Sequence, residues 1–160
     1  MLLAFGDSHR YSTVLAEMTK IIRREQPQFF VHTGDNYVDF QRLQQTTGLP
    51  GYSVRGNCDY YLPAEVPEEL VFSLHGFNIF LTHGHQYGAK HCLSLLVERA
   101  RDLNAQAVIF GHSHVQLVRE EEGILLVNPG SIPLPRGNSE SGYAIIFVKS
   151  GKLQAELRVI

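Results

Sequence analysis

Five short polar segments, each opening where an apolar run ends, constrain this chain more than any other feature. Leu2–Phe5 stops at Gly6-Asp7-Ser8-His9, and Phe29-Phe30-Val31 stops at His32-Thr33-Gly34-Asp35. Residues 52–55 run into Gly56-Asn57-Cys58-Asp59, residues 77–81 deliver Thr82-His83-Gly84-His85, and residues 107–110 feed Gly111-His112-Ser113-His114. Six of the eight histidines (His9, His32, His83, His85, His112, His114) fall in these segments; a histidine-rich enzyme core is one explanation and scattered surface residues another. Open α/β sheets collect ligands in the crevice beyond their strand ends, and these segments are positioned to line such a crevice.

The intervening stretches carry the chain back to the same edge. Residues 12–25 place Val14, Leu15, Met18, Ile21 and Ile22 at a helical period, closed by Pro27. Residues 70–74 and 77–81 read as a hairpin turning at His75-Gly76, and residues 89–103 as a second amphipathic helix with Leu93, Leu96, Ala100 and Leu103 on one face. The last third reads as consecutive strands over 116–119, 124–127, 143–148 and 153–159, with turns at Glu122-Gly123 and Ser150-Gly151. No linker divides the 160 residues, so a single domain over 1–160 is expected, of α/β (α+β) class, with two mixed sheets packed together and helices outside.

Composition removes several function classes. A net charge of −2 with no Lys/Arg block argues against a partner of long nucleic acid, which needs a basic face. A small phosphorylated substrate stays open, because bound cations supply positive charge locally. No apolar run approaches the roughly 20 residues that span a bilayer, and the opening lacks the basic lead of a signal peptide. Cys58 and Cys92 form no CxxC pair, so a reducing cytoplasm is expected rather than a disulfide framework.

Asp7, Asp35, Asn57, His83 and His112 recur at intervals of 28, 22, 26 and 29 residues, each enough for one element and a return. Carboxylate, imidazole and amide oxygen together suit manganese, iron, zinc, cobalt or nickel. A carboxylate has two oxygens and can bridge two cations, and Asp35 stands at the centre of the series. Taken singly, Gly34-Asp35 or Gly56-Asn57 reads as an ordinary turn. The five in order, each after an apolar run, are a far sharper signal.

In that order the segments resemble the calcineurin-like metallophosphoesterases, whose pattern is D-x-H, G-D, G-N-[HC]-[DE], H-G-H and G-H-x-H. Asn128-Pro129-Gly130-Ser131 is similar to a stretch of their small YfcE-like phosphodiesterase branch, and the likeness runs from residue 2 to about 148. The resemblance implies a four-layer αββα sandwich with the metals at one sheet edge. It implies two divalent ions, manganese first among the candidates, one held by Asp7, His9, Asp35 and His114 and the other by Asp35, Asn57, His83 and His112. It also implies hydrolysis of a phosphodiester by a metal-bridging hydroxide, with Asn57, Cys58 and Asp59 as the catalytic stretch.

Two positions depart from the family. Cys58 stands where many members carry a histidine that protonates the leaving group, which leaves His85 and His32 as the nearest other donors and Asp59 as an orienting carboxylate. Arg10 stands where glycine is usual, either reaching toward phosphate or facing solvent. Tyr37, Phe40 and Tyr52 are candidates for a base-stacking wall, with core packing the simpler reading. The competing function is a non-catalytic scaffold of the same fold, as in a subunit of retromer. Edge strands near the C-terminus leave a homo-oligomer open.

Overall fold

The computed structural model describes residues 1–9, 11 and 13–160. Its first sheet is built from β1 (Leu2–Phe5), β2 (Phe29–His32), β3 (Gly51–Ser53), β9 (Gly142–Lys149) and β10 (Lys152–Val159), in the order β10-β9-β1-β2-β3. The second holds β4 (Glu69–Leu74), β5 (Phe77–Thr82), β6 (Ala107–Ile109), β7 (Leu117–Glu121) and β8 (Ile124–Asn128), in the order β4-β5-β6-β8-β7. Helices α1 (Val14–Glu25), α2 (Tyr37–Thr47) and α3 (Ser94–Asp102) lie outside, with one 3₁₀ turn over His85–Tyr87.

The alternation of side chains along each strand assigns three cores. Leu2 and Ala4 point inward with Val31 and Ile146 to meet Ile79, Leu81, Ile109 and Val127 of the other sheet. Leu3 and Phe5 point the opposite way and bury Met18, Ile21 and Ile22 of α1 and Phe40 and Leu43 of α2. On the far side Phe80, Val108 and Leu126 take Leu96, Val97 and Ala100 of α3. Strands covered on both faces read as unbroken apolar runs, which is why Leu2–Phe5 shows no alternation in polarity. The layering is therefore αββα, as the sequence implies.

Local chemistry sets the element ends. α1 stops at Gln26 in a left-handed conformation (φ 48°) ahead of Pro27, with Arg23 and Arg24 in its last turn, where cations complement the helix dipole. The hairpins β4–β5, β7–β8 and β9–β10 turn at His75-Gly76, Glu122-Gly123 and Ser150-Gly151, and both residues of each pair have positive φ. That is the two-residue turn whose twist matches paired strands.

Two elements differ from the sequence reading. α2 follows Asn36 and is anchored by Phe40 and Leu43, but its hydrophobic stripe is narrow and the sequence reading passed over it. The helix expected over 89–103 begins only at Ser94. Gly84 and Gly88 take left-handed conformations on either side of the 3₁₀ turn, and the chain stays in turns through His91. No helix of the described residues is long and apolar enough to cross a membrane.

Candidate metal centre

Strands β1, β2 and β3 are parallel neighbours in one sheet, and β5 and β6 are parallel neighbours in the other. Their carboxyl ends open at one edge of the sandwich, so all five polar segments meet there. Backbone bonds tie them together: His9 N–H donates to the Asp35 carbonyl (3.1 Å) and Gly111 N–H to the His83 carbonyl (3.1 Å). The sheets are joined across the site, since the His112 N–H donates to Asp7 Oδ2 (3.1 Å) and His83 Nδ1 bonds the Thr33 carbonyl (2.9 Å).

Three groups of potential donors converge, each with its atoms within 4.8 Å of one another: Asp7, His9 and His114; Asp7, Asp35 and His83; and His9, Asp35 and Cys58. Asp35 Oδ2 lies 3.8 Å from His9 Nε2 and 3.5 Å from His83 Nε2, so one carboxylate faces both ends of the cluster. Asp7 Oδ1 is 3.5 Å from His114 Nε2. Asn57 Oδ1 is 3.0 Å from His83 Nε2. The His112 ring lies 5.1 Å from the His83 ring centre to centre and enters none of the three tight groups.

Hydrogen bonding makes the donors fit cations. With Nδ1–H of His83 given to the Thr33 carbonyl and Nδ1–H of His114 to the Leu134 carbonyl (2.8 Å), each Nε2 carries a lone pair into the cluster. His83 Nε2 then faces two acceptors, Asn57 Oδ1 and Asp35 Oδ2, with no proton between them. Asp7 Oδ1 is buried and has no hydrogen-bond partner. Buried acceptors facing one another are costly unless a positive charge lies among them. Donors bound about 2.0–2.2 Å from a shared ion sit roughly 3.0–3.5 Å apart, close to the separations found here.

Electrostatics agree with the geometry. Burial alone would raise the Asp7 carboxyl, but contact with His114 and the charges that His83 and His114 carry when protonated outweigh it and hold it below the usual range. Burial would lower His114, but Asp7 beside its Nε2 (3.5 Å) and the Leu134 carbonyl at its Nδ1 favour the protonated ring and carry it above its ordinary value instead. Burial pushes His112 down to about 4, with His83 and Lys90 adding to the effect, so its ring is neutral at physiological pH.

The Asn57-Cys58-Asp59 stretch is arranged around Asp35. Cys58 N–H donates to Asp35 Oδ1 (2.8 Å), and burial followed by the bond and charge of Asp35 pushes the thiol up to about 11. At neutral pH Cys58 therefore stays protonated. Asp59 is buried, and its two oxygens accept the Gly56 N–H (2.9 Å) and the Tyr37 N–H (2.9 Å). Its orienting action falls on the backbone of its own loop and of α2.

Of the alternative proton donors, His32 is corrected. It is fully buried beneath the site and accepts the Gly34 N–H at Nδ1 (3.2 Å), out of reach of any substrate. His85 is half-buried, 5.2 Å from the His83 ring and 6.0 Å from that of His112. Arg10 lies outside the described residues. Tyr37, Phe40 and Tyr52 form no wall: Phe40 packs in the core against Phe30, with Tyr37 beside it, and Tyr52 stacks on Phe72 at 4.8 Å.

The residues behind the ligands escaped sequence reasoning. Ser131 Oγ donates to the Asp7 carbonyl (2.7 Å), and Asn128 Nδ2 donates to the Gly111 carbonyl (2.9 Å) and to Ser113 Oγ (3.0 Å). The Asn128-Pro129-Gly130-Ser131 match was the available signal, and its meaning is a buttress under the two ends of the site.

A four-layer sandwich with a carboxylate–histidine–amide cluster at the carboxyl ends of its parallel strands is the architecture of a metallophosphoesterase. Residues 1–151 match the family model for the calcineurin-like phosphoesterase superfamily domain, and the chain belongs to that family. It is 32% identical over 152 residues to the probable metallophosphoesterase YsnB of Bacillus subtilis, covering 93% of this chain and 85% of that protein. Phosphodiesterase YfcE of Escherichia coli is 30% identical over 101 residues, 59% of this chain and 50% of its own length. A predicted phosphoesterase of Streptococcus pneumoniae superposes with a TM-score of 0.82 at 28% identity, covering 99% of this chain and 88% of that one.

Proposed function

We propose that this protein is a dinuclear metal-dependent phosphodiesterase. The observation that carries the reading is the Asp35 carboxylate, whose Oδ2 faces His9 on one side and His83 on the other while Oδ1 is held by the Cys58 amide. Asp7, His9, Asp35 and His114 would hold one ion, and Asp35, Asn57, His83 and His112 the other. Bound divalent ions supply charge neutralisation at the phosphoryl oxygens and a water acidic enough to attack phosphorus near neutral pH.

The chain's own groups do the rest. The exposed Asn57 amide stands at the mouth with Nδ2 near Cys58 Sγ (3.3 Å) and is free to orient a phosphoryl oxygen. The protonated Cys58 thiol is a weak acid there, so esters with good leaving groups are favoured over those needing strong protonation. The cavity lined by His9, Asp35, Asn36 and Cys58 holds about 230 Å³, room for a phosphoryl group with its ester arms outside. An open cleft of that size supports a diester, whose two arms need space on both sides.

The test compares bis-p-nitrophenyl phosphate with p-nitrophenyl phosphate after manganese is returned to metal-stripped protein. The expected result is metal-dependent turnover, faster on the diester, lost by at least about a hundredfold in Asp35→Asn and in His83→Ala. No turnover with manganese, cobalt, nickel or zinc, despite bound metal, would replace this reading with that of a scaffold.

A further inference from the structure

Beside the metal centre, on the His112 side, lies a second and larger cavity of about 430 Å³. Its floor is apolar, from Leu93, Phe110, Val115 and Leu117, and its rim carries Lys90 and Ser113. The walls come from the two segments that also deliver ligands. Phe110 and Ser113 flank Gly111-His112, while Lys90 and Leu93 belong to the turn-rich stretch after His83-Gly84-His85. A Cβ at Gly84 would meet Ala89 and Phe110 at 3.0 and 3.5 Å, so that stretch packs directly on the segment that leads into His112. Ser113 is fixed by Asn128, the same side chain that supports the Gly111 carbonyl.

Charge discriminates among occupants. Arg119 at the outer rim is neutralised by Glu121 (2.5 Å). Lys90 is exposed and makes no ion pair among the described residues. An apolar floor with one uncompensated cation at its rim matches a group that is flat or apolar at one end and anionic at the other. The first cavity is open and lined by polar groups of the metal centre, so an apolar ester arm is better accommodated outside it.

We propose that this cavity is a substrate subsite that takes one aryl or similarly apolar ester arm of a phosphodiester, with Lys90 meeting the phosphodiester's negative charge. The inference rests on the phosphodiesterase reading for the position of phosphorus. It adds a specificity element, in which arms that fill the pocket bind better than small alkyl arms.

The test is binding, read by amide NMR on the full chain with zinc added, comparing diphenyl phosphate with dimethyl phosphate. Diphenyl phosphate is expected to bind at least about tenfold more tightly and to shift the amides of residues 89–93 and 113–117. In Lys90→Ala and in Val115→Asp, two substitutions at exposed positions whose folding the same spectra report, its affinity should fall about tenfold. Equal binding of the two phosphates, or shifts confined to the Asp7, Asp35 and Asn57 loops, would overturn the subsite while leaving the metal centre standing. Shifts in the pocket from a protein that retains no zinc would uphold the subsite and sink the metal reading, so the two failures are distinct.

Discussion

At the residue scale the site depends on backbone conformations and close approaches that few side chains permit. His9, Asp35, His112 and His114 all have φ between 49° and 65°, a region that costs an ordinary residue of order 1 kcal/mol or more and persists where surrounding bonds enforce it. Gly111 and Gly56 are needed for space instead. A Cβ at Gly111 would lie 2.3 Å from Thr33 Oγ1 and 2.7 Å from Asp7 Oδ2, and one at Gly56 would lie 2.1 Å from Asp35 Oδ1. Gly111→Ala should therefore displace Asp7 and weaken metal binding by at least about tenfold, with the fold retained, as titration calorimetry with manganese would read. Metal affinity equal to wild type would show that the loop yields without moving Asp7.

Titration of His32 gives a second residue-scale prediction. Burial holds its folded-state pKa below the ordinary value, and the charges of Asp7, Asp59 and Asp39 do not offset it. The unfolded chain then binds the proton more readily, so this residue's contribution is complete above the unfolded pKa of about 6.5 and is lost as pH falls toward the folded one. Asn at this position places an oxygen where Nδ1 accepts the Gly34 N–H and cannot be protonated. The melting temperature of metal-free His32→Asn should fall less than that of wild type between pH 7 and pH 5, and parallel curves would contradict the assignment. What the sequence showed at this scale was donor chemistry in order. It did not show which histidine is sealed underneath, because His32 differs from His83 only in the direction its side chain leaves the chain.

At the element scale the ligands are only as well placed as the strands and helices behind them. α2 rests on Phe40, which packs on Phe30 with ring centres 5.5 Å apart, and the first turn of the helix is tied to the site loop through Asp59 and the Tyr37 amide. Phe40→Ala should destabilise the protein by about 3–5 kcal/mol in urea unfolding. A loss under 1 kcal/mol would mean that α2 is not anchored there. Asn128→Ala removes the bonds under Gly111 and Ser113 without touching a ligand, and should lower metal affinity more than it lowers the melting temperature; an equal effect on both would make Asn128 a general stabiliser.

The helices were the least legible elements. α1 could be read because its apolar residues fall at a full helical period and Pro27 closes it. α2 was not, since only Phe40 and Leu43 of its face are large, apolar and buried. The stretch before Ser94 has helical composition but is held in turns by Gly84 and Gly88, and the cavity it lines depends on that departure.

At the scale of the whole molecule, two sheets that share one core bring their parallel carboxyl ends to the same edge, and the donor cluster exists only because both contribute. Asp7, His9, Asp35 and Asn57 come from one sheet, His83, His112 and His114 from the other. That arrangement was legible from the recurrence of polar segments after apolar runs, since each run is a strand and each segment its exit. The split between sheets was not, because pairing partners are fixed by packing rather than by spacing.

The central claim is a pair of ions shared through Asp35, and the most direct test is the number of ions each chain retains. Metal-stripped protein reconstituted with manganese, desalted and analysed by inductively coupled plasma mass spectrometry should hold two ions per chain, and Asp35→Asn should hold one or fewer. A wild-type protein that holds a single ion, or an Asp35→Asn variant that still holds two, would contradict the account.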